Sequence, residues 1–446
     1  MTHRMVGGAL LAALALACAA AAAPAAETAA GAPLSLREAV RQALSEGTAA
    51  KLAGLRIEES RAQGRQSRAA LLPQVSAGVS QVSNMINLAT EDLTLPIIPR
   101  IVGPYGMFDA HIAAAMNIVD VAALRRYRAA QQGVRVSEAE RLRVRHEVAA
   151  AVAQLYVAAQ RADARVGESR ANVELFGRLR DLARDQWQAG VATRLDSLRA
   201  EVQLARERQN LLVATSQREV ARLALLHAIG ADLSLEVVLT DSLGGGPRQV
   251  PALEEALGAA RRDRPELVSA EEARRAARLQ VSAAKAARLP TLGVSIQGDL
   301  NGQDPGFLDG IRTVGAAVSV PLFTGGGIEA GVAEARARER EAEVQQREVE
   351  RQVEEDVRRA LFNYRSAANR VAVAEDNLQV AQQELEVATD RFRNGASSNI
   401  EMDNAQSSLA AARDARVTAL ADEAQAWYDL GRATGRIREL MPADGQ

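Results

Sequence analysis

The sequence predicts a mainly α-helical fold with a small β part: very long antiparallel helices packed as coiled coils, joined to four short strands. Three observations carry this expectation. Two proline-free windows are each long enough for one helix of about 70 residues. Four segments alternate apolar and polar residues with a period of two. The chain also repeats itself, so each of these features occurs twice.

Taken in order, the N-terminus reads as an export signal over 1–26. Arg4 gives a short basic start, Ala9 to Ala23 form an apolar core, and Ala23-Pro24-Ala25 offers a cleavage pattern. Cys18, the only cysteine, lies inside that core. Either it leaves with the signal, or it becomes a lipid-modified N-terminus behind Ala15-Leu16-Ala17, which departs from a good lipobox at Ala15. No disulfide can form within the chain on either reading. No other stretch of about 20 apolar residues follows, so a helical inner-membrane protein is excluded, while a membrane β-barrel is not.

The first copy of the repeat spans 34–240 and the second 251–435, with a polar tail at 436–446. Leu182 to Gly230 aligns with Val387 to Gly435 without a gap, placing Gly190 on Gly395 and Asp196 on Glu401. Leu36 likewise falls on Leu253, and Leu72-Pro73 on Leu289-Pro290. The first copy is longer between these blocks, and the excess fits the Pro- and Gly-rich stretch from Asn84 to Gly106. Gly244-Gly245-Gly246-Pro247 breaks the chain between copies. Each copy begins with a short helix, then one of roughly 24 residues that stops at Pro73 or Pro290.

Strands are expected at about 74–83, 108–118, 291–300 and 312–322. Val75, Ala77 and Val79 alternate with Ser76, Gly78 and Ser80; Phe108, Ala110, Ile112, Ala114 and Met116 oppose Asp109, His111 and Asn117. Leu292, Val294, Ile296 and Leu300, then Val314, Ala316, Val318, Val320 and Leu322, repeat the pattern. Each segment has the length that crosses a bilayer when tilted, although a soluble sheet with one wet face would read alike. Four strands cannot close a barrel, so a membrane role requires several chains to share one.

Long helices are expected at 120–188 and 324–393, returning at 193–229 and 398–434. In the second, Val357, Tyr364, Val371, Leu378, Leu385 and Phe392 recur every seven residues, with Ala360, Ala367, Ala374, Ala381 and Ala388 in step. Large residues on one row and alanine on the other make a close-packed seam. The abundance of alanine and an aromatic content of only 3% suit such helices better than a globular core.

Both helical turns share one chemistry. Gly190 and Gly395 supply left-handed C-caps, and Thr193 with Asp196, or Ser398 with Glu401, forms a capping box. Asp196 and Glu401 therefore either start helices only, or, with Asp403 and Arg194, build a charged ring at a pore mouth. No catalytic constellation accompanies them. His111, His146 and His227 lack metal-ligand spacing, and Gly325-Gly326-Gly327 lacks the lysine of a phosphate loop. No cofactor is expected, and a net charge of −2 gives no case for nucleic acid.

Leu34-Ser35-Leu36-Arg37-Glu38-Ala39-Val40, the Leu71-Leu72-Pro73 stop, Val320-Pro321-Leu322-Phe323-Thr324-Gly325-Gly326 and the two glycine-centred turns together resemble the TolC-like outer membrane efflux proteins. The resemblance covers Leu34 to Gly435. It implies a homotrimer in the outer membrane, with four strands per chain in a shared β-barrel and the helices in a periplasmic α-barrel. It implies passage of substrates from an inner-membrane transporter, of an efflux or type I secretion system, through a periplasmic adaptor. Gly190, Val191, Gly395 and Ala396 would be the tip that meets the adaptor, and Asp196 and Glu401 would occupy tip-acid positions. Two departures stand out: Ile118-Val119-Asp120-Val121 replaces the Pro-Leu-Phe and Gly-Gly run, and Ser397-Ser398 stand where a basic gate residue can occur, leaving Arg194 or Arg391 to serve. The alternative reading is a periplasmic coiled-coil adaptor or structural protein without a barrel.

Overall fold

The computed structural model describes residues 32–87, 101–244, 248–303, 305–306, 308–394, 396 and 399–437. The export signal, Cys18, Gly395, the Ser398 cap and the tail beyond 437 lie outside the described residues.

The chain opens with β1 (Ala32–Leu34), α1 (Leu36–Glu46) and α2 (Thr48–Ala69). It crosses a hairpin, β2 (Gln74–Asn87) and β3 (Ile101–Val119), then enters α3 (Val121–Gln188) and α4 (Arg194–Ile229). After β4 (Val237–Leu239) the plan recurs: α5 (Leu253–Asp263), α6 (Pro265–Ala286), β5 (Thr291–Gly302), β6 (Asp309–Ser319), α7 (Gly327–Arg393) and α8 (Asn399–Ala433). With 68 and 67 residues, α3 and α7 are each on the order of 100 Å long. Along α3, α2 packs toward the sheet and α4 toward the far end; α6 and α8 accompany α7 in the same way.

The two strand-to-helix bends are built differently. In the second copy Gly325 and Gly326 both take positive φ (61° and 81°), which glycine adopts without a Cβ penalty. The first copy lacks these glycines. There Asp120 turns the chain by accepting a hydrogen bond from the Ala123 N–H at 2.7 Å, an N-cap that starts α3.

Strand limits differ from the sequence expectation at the hairpin ends. Pairing of β2 with β3 continues out to Asn87 opposite Ile101, through Gly103 and Pro104. Gly103 and Pro104 have no partner in that register and sit where it shifts between Asn84 and Ile86, so the turn chemistry is absorbed as a bulge and pairing resumes beyond it. At the other end β6 stops at Ser319, before the expected Val320 and Leu322, since Pro321 has no N–H to give.

The largest core sits midway along the long helices. Leu36, Val40, Tyr156, Leu225, Leu226, Ile229 and Ile437 are buried together from α1, α3, α4 and the segment after α8. The Tyr156 hydroxyl donates to the Leu34 carbonyl at 2.9 Å, beneath the parallel pair β1–β4, a small sheet absent from the sequence expectation. Along α7, Val357, Tyr364 and Phe392 of the heptad row are buried, with the alanines of the companion row. A second apolar line on α7, Phe362, Val373, Val380 and Val387, stays exposed in the single chain.

Candidate functional site: the sheet and the helical tip

The four long strands form one antiparallel sheet in the order β2-β3-β5-β6, with β2 and β6 as edges. Register decides which residues share a face. Ala77 lies opposite Ile112, Ile112 opposite Gly298, and Ala114 opposite Ile296, which faces Val314. The apolar sets of all four strands therefore fall on one face, interrupted by Gln81, Ser83 and Arg312. The other face carries Ser76, Ser80, Asp109, His111, Gln297, Asp299 and Thr313. Nothing among the described residues covers the apolar face: Val75, Val79, Ile112, Val314 and Val318 are each more than half exposed. The register shifts twice, between Asn84 and Ile86 in the β2–β3 ladder and between Asn117 and Val119 in the β3–β5 ladder.

At the far end, α3 turns into α4 through Gly190 at φ 74°, with Val191 and Ala192 N–H groups both returning to the Gln186 carbonyl. The Thr193–Asp196 capping box is complete. Asp196 N–H donates to the Thr193 hydroxyl oxygen, and the Asp196 carboxylate accepts from the Thr193 N–H and hydroxyl. Asp196 thus has structural employment whatever else it does. The carboxylate of its twin Glu401 lies 3.5 Å from Arg391 Nε, joining α7 to α8 across the turn. Arg194 is exposed at the start of α4. The Gln186 side chain donates to the Phe392 carbonyl at 3.3 Å and ties the two turns together.

Asp403 is half-buried on α8. Burial holds its carboxyl above the usual carboxylate range, Arg199 opposes this, and Asp196 adds to it. Arg199 is a neighbour that the sequence spacing alone did not single out. The turn also presents apolar side chains to solvent. Trp187, Val191, Leu195, Leu198 and Ile400 are exposed there, beside Gly190 and Ala396.

A sheet with an uncovered apolar face and open edges, set on helices far longer than a globular core needs, defines a shared-barrel membrane channel. The family profile described as Outer membrane efflux protein matches residues 39–231 and 256–436, and the chain belongs to that family. The two matched blocks coincide with the two copies of the repeat. No curated protein matches it closely in sequence. Among solved structures, CusC superposes with a TM-score of 0.78 at 19% identity, over 90% of this chain and 92% of that one. The outer membrane protein VceC of Vibrio cholerae gives 0.76 at 20%, over 90% and 96%. The CmeC outer membrane channel of Campylobacter jejuni gives 0.76 at 18%, over 90% and 85%. The protein is an outer membrane efflux channel, not an enzyme. No described helix is long and apolar enough to cross a membrane.

Proposed function

We propose that this chain is one protomer of a homotrimeric tunnel through the outer membrane, exported by the signal at 1–26. The tunnel carries substrates from an inner-membrane transporter and periplasmic adaptor to the outside. One observation carries the reading: a single apolar face runs through four strands whose outer edges, β2 and β6, have no partner among the described residues. In lipid each unpaired backbone group costs several kcal/mol, and edge-to-edge joining with other copies removes that cost. Leu322 and Phe323, 93% and 89% exposed where the sheet meets the helices, suit a membrane boundary. The exposed line Phe362, Val373, Val380 and Val387 offers α7 a seam for a neighbouring protomer. The full-length protein should fractionate with the outer membrane as a heat-modifiable trimer. A folded monomer that stays soluble without detergent refutes the proposal and favours the barrel-free adaptor.

The tip then serves as the periplasmic mouth. Gly190, Val191, Gly395 and Ala396 are proposed to dock the adaptor, helped by the exposed Trp187 and Leu195. Glu401 is held by Arg391, and loss of this exposed pair removes charge from the mouth rather than fold stability. Glu401→Ala is expected to lower cation preference of trimers in planar bilayers. Unchanged conductance and reversal potential remove Glu401 from the mouth.

Asp403 gives a pH test. Its folded pKa is raised, so its packing favours the folded tip in acid and loses that advantage as pH rises through the folded value. Asp403→Asn should therefore melt higher than the native protein at pH 7, with the gap closing in acid. A variant no more stable at pH 7 contradicts the burial argument.

A further inference from the structure

We infer that the polar face of the sheet holds a binding site for a borderline divalent cation such as Zn²⁺, built from Asp109, His111 and Asp299. These three residues come from two strands. Asp109 and His111 are two apart on β3 and so share a face. His111 lies opposite Asp299 of β5 in the ladder. One potential ligand atom from each lies within 4.8 Å of the others, a span that a single ion bridges.

Three further features support a built site. The His111 ring rests over Gly78 of β2, its ladder partner on the other side. A Cβ at Gly78 would come within 2.8 Å of the ring, so only glycine leaves it this place. His111 Nδ1 is 2.7 Å from Asp109 Oδ1, and Gln297 donates to Asp299 Oδ1 at 2.6 Å, so ring and carboxylates are oriented by neighbours. Asn301, opposite Asp109 in register, has a buried side-chain carbonyl oxygen without a hydrogen-bond partner. It shares that face two residues along from Asp299 and is the candidate for a fourth donor, and orphaned buried acceptors of this kind call for an ion or water.

The donor set sets the class of cation. One imidazole with two carboxylates suits Zn²⁺ and its first-row neighbours; soft monovalent ions prefer sulfur, and Mg²⁺ or Ca²⁺ prefer oxygen alone. The site lies at the middle of β3 and toward the hairpin end of β5. On the channel reading it faces the lumen, once per chain, and a bound ion would cancel acidic charge at that level. The site itself needs only the β2–β3–β5 pairing, so its failure leaves the channel reading untouched.

The test is Zn²⁺ titration calorimetry on the detergent-purified full-length protein, native and as His111→Ala and Asp299→Asn. One saturable site per chain is expected, weakened at least tenfold in each variant. Retention of the heat-modifiable form shows that each variant has folded. Cu²⁺ as a paramagnetic probe should show hyperfine coupling to one imidazole nitrogen, lost in His111→Ala. Absence of saturable binding in the native protein, or equal binding in all three proteins, overturns the proposal.

Discussion

Val314→Arg is expected to empty the outer membrane of this protein. Val314 sits in the middle of β6, 71% exposed, opposite Ile296 on the apolar face. A lipid-facing arginine near the bilayer midplane costs about 2–4 kcal/mol, and a symmetric assembly incurs it once in every chain. The neighbouring residue is the control. Thr313 points to the opposite face, beside Gln297 in register, where an arginine would meet water and the diagonal neighbour Asp299. Thr313→Arg should therefore reach the membrane as the heat-modifiable oligomer while Val314→Arg does not. Gel analysis of extracted outer membranes reads the difference, and equal behaviour of the two variants would mean that the faces have been assigned wrongly.

The second large effect is expected far from the sheet. Arg264, at the N-cap of α6, is 4% exposed and reaches Asp356 of α7, itself 7% exposed, at 3.1 Å. It also pairs with Glu266 at 3.0 Å and donates to the Arg432 carbonyl of α8 at 3.2 Å. One guanidinium thus holds α6, α7 and α8 at a single point, near where Gly435 packs on the Asp263–Arg264 backbone. Asp356→Ala leaves that cation buried with Glu266 as its remaining acid, and the expected loss is about 3–5 kcal/mol. Pairing Asp356→Leu with Arg264→Met should recover most of it, because two apolar side chains have no charge to desolvate. Denaturant unfolding in detergent distinguishes the cases. A single variant as stable as the double would show that Glu266 suffices alone.

Much of the architecture was legible from residues alone, for identifiable reasons. The proline-free windows gave α3 and α7 nearly to their ends, because helix hydrogen bonds are local and only proline or a cap stops them. The Gly190 turn and the Thr193–Asp196 box were legible for the same reason. Hairpin ends were harder: Gly103 and Pro104 carry turn chemistry, yet they lie within β3 at a register shift beyond which pairing with β2 resumes. β1 and β4, three residues each, offer no period to read.

The mouth divides similarly. Asp196 and Glu401 are equivalent in the repeat, and the sequence treated them as equals. In the fold Asp196 serves its cap, Glu401 meets Arg391, and Asp403 is half-buried within the field of Arg199. Which role each acid takes depends on the helix packed across from it.

By itself, the sequence determined the lengths of the helices, the alternation of the strands and the two-copy plan, since backbone geometry within one element fixes all three. Only the tertiary structure decided register. That brought four apolar sets onto one face, set Asp299 beside His111, and closed Asp356 on Arg264. Ladder partners and packed helices belong to segments far apart in the chain, and no local rule of propensity or period links one such segment to the other.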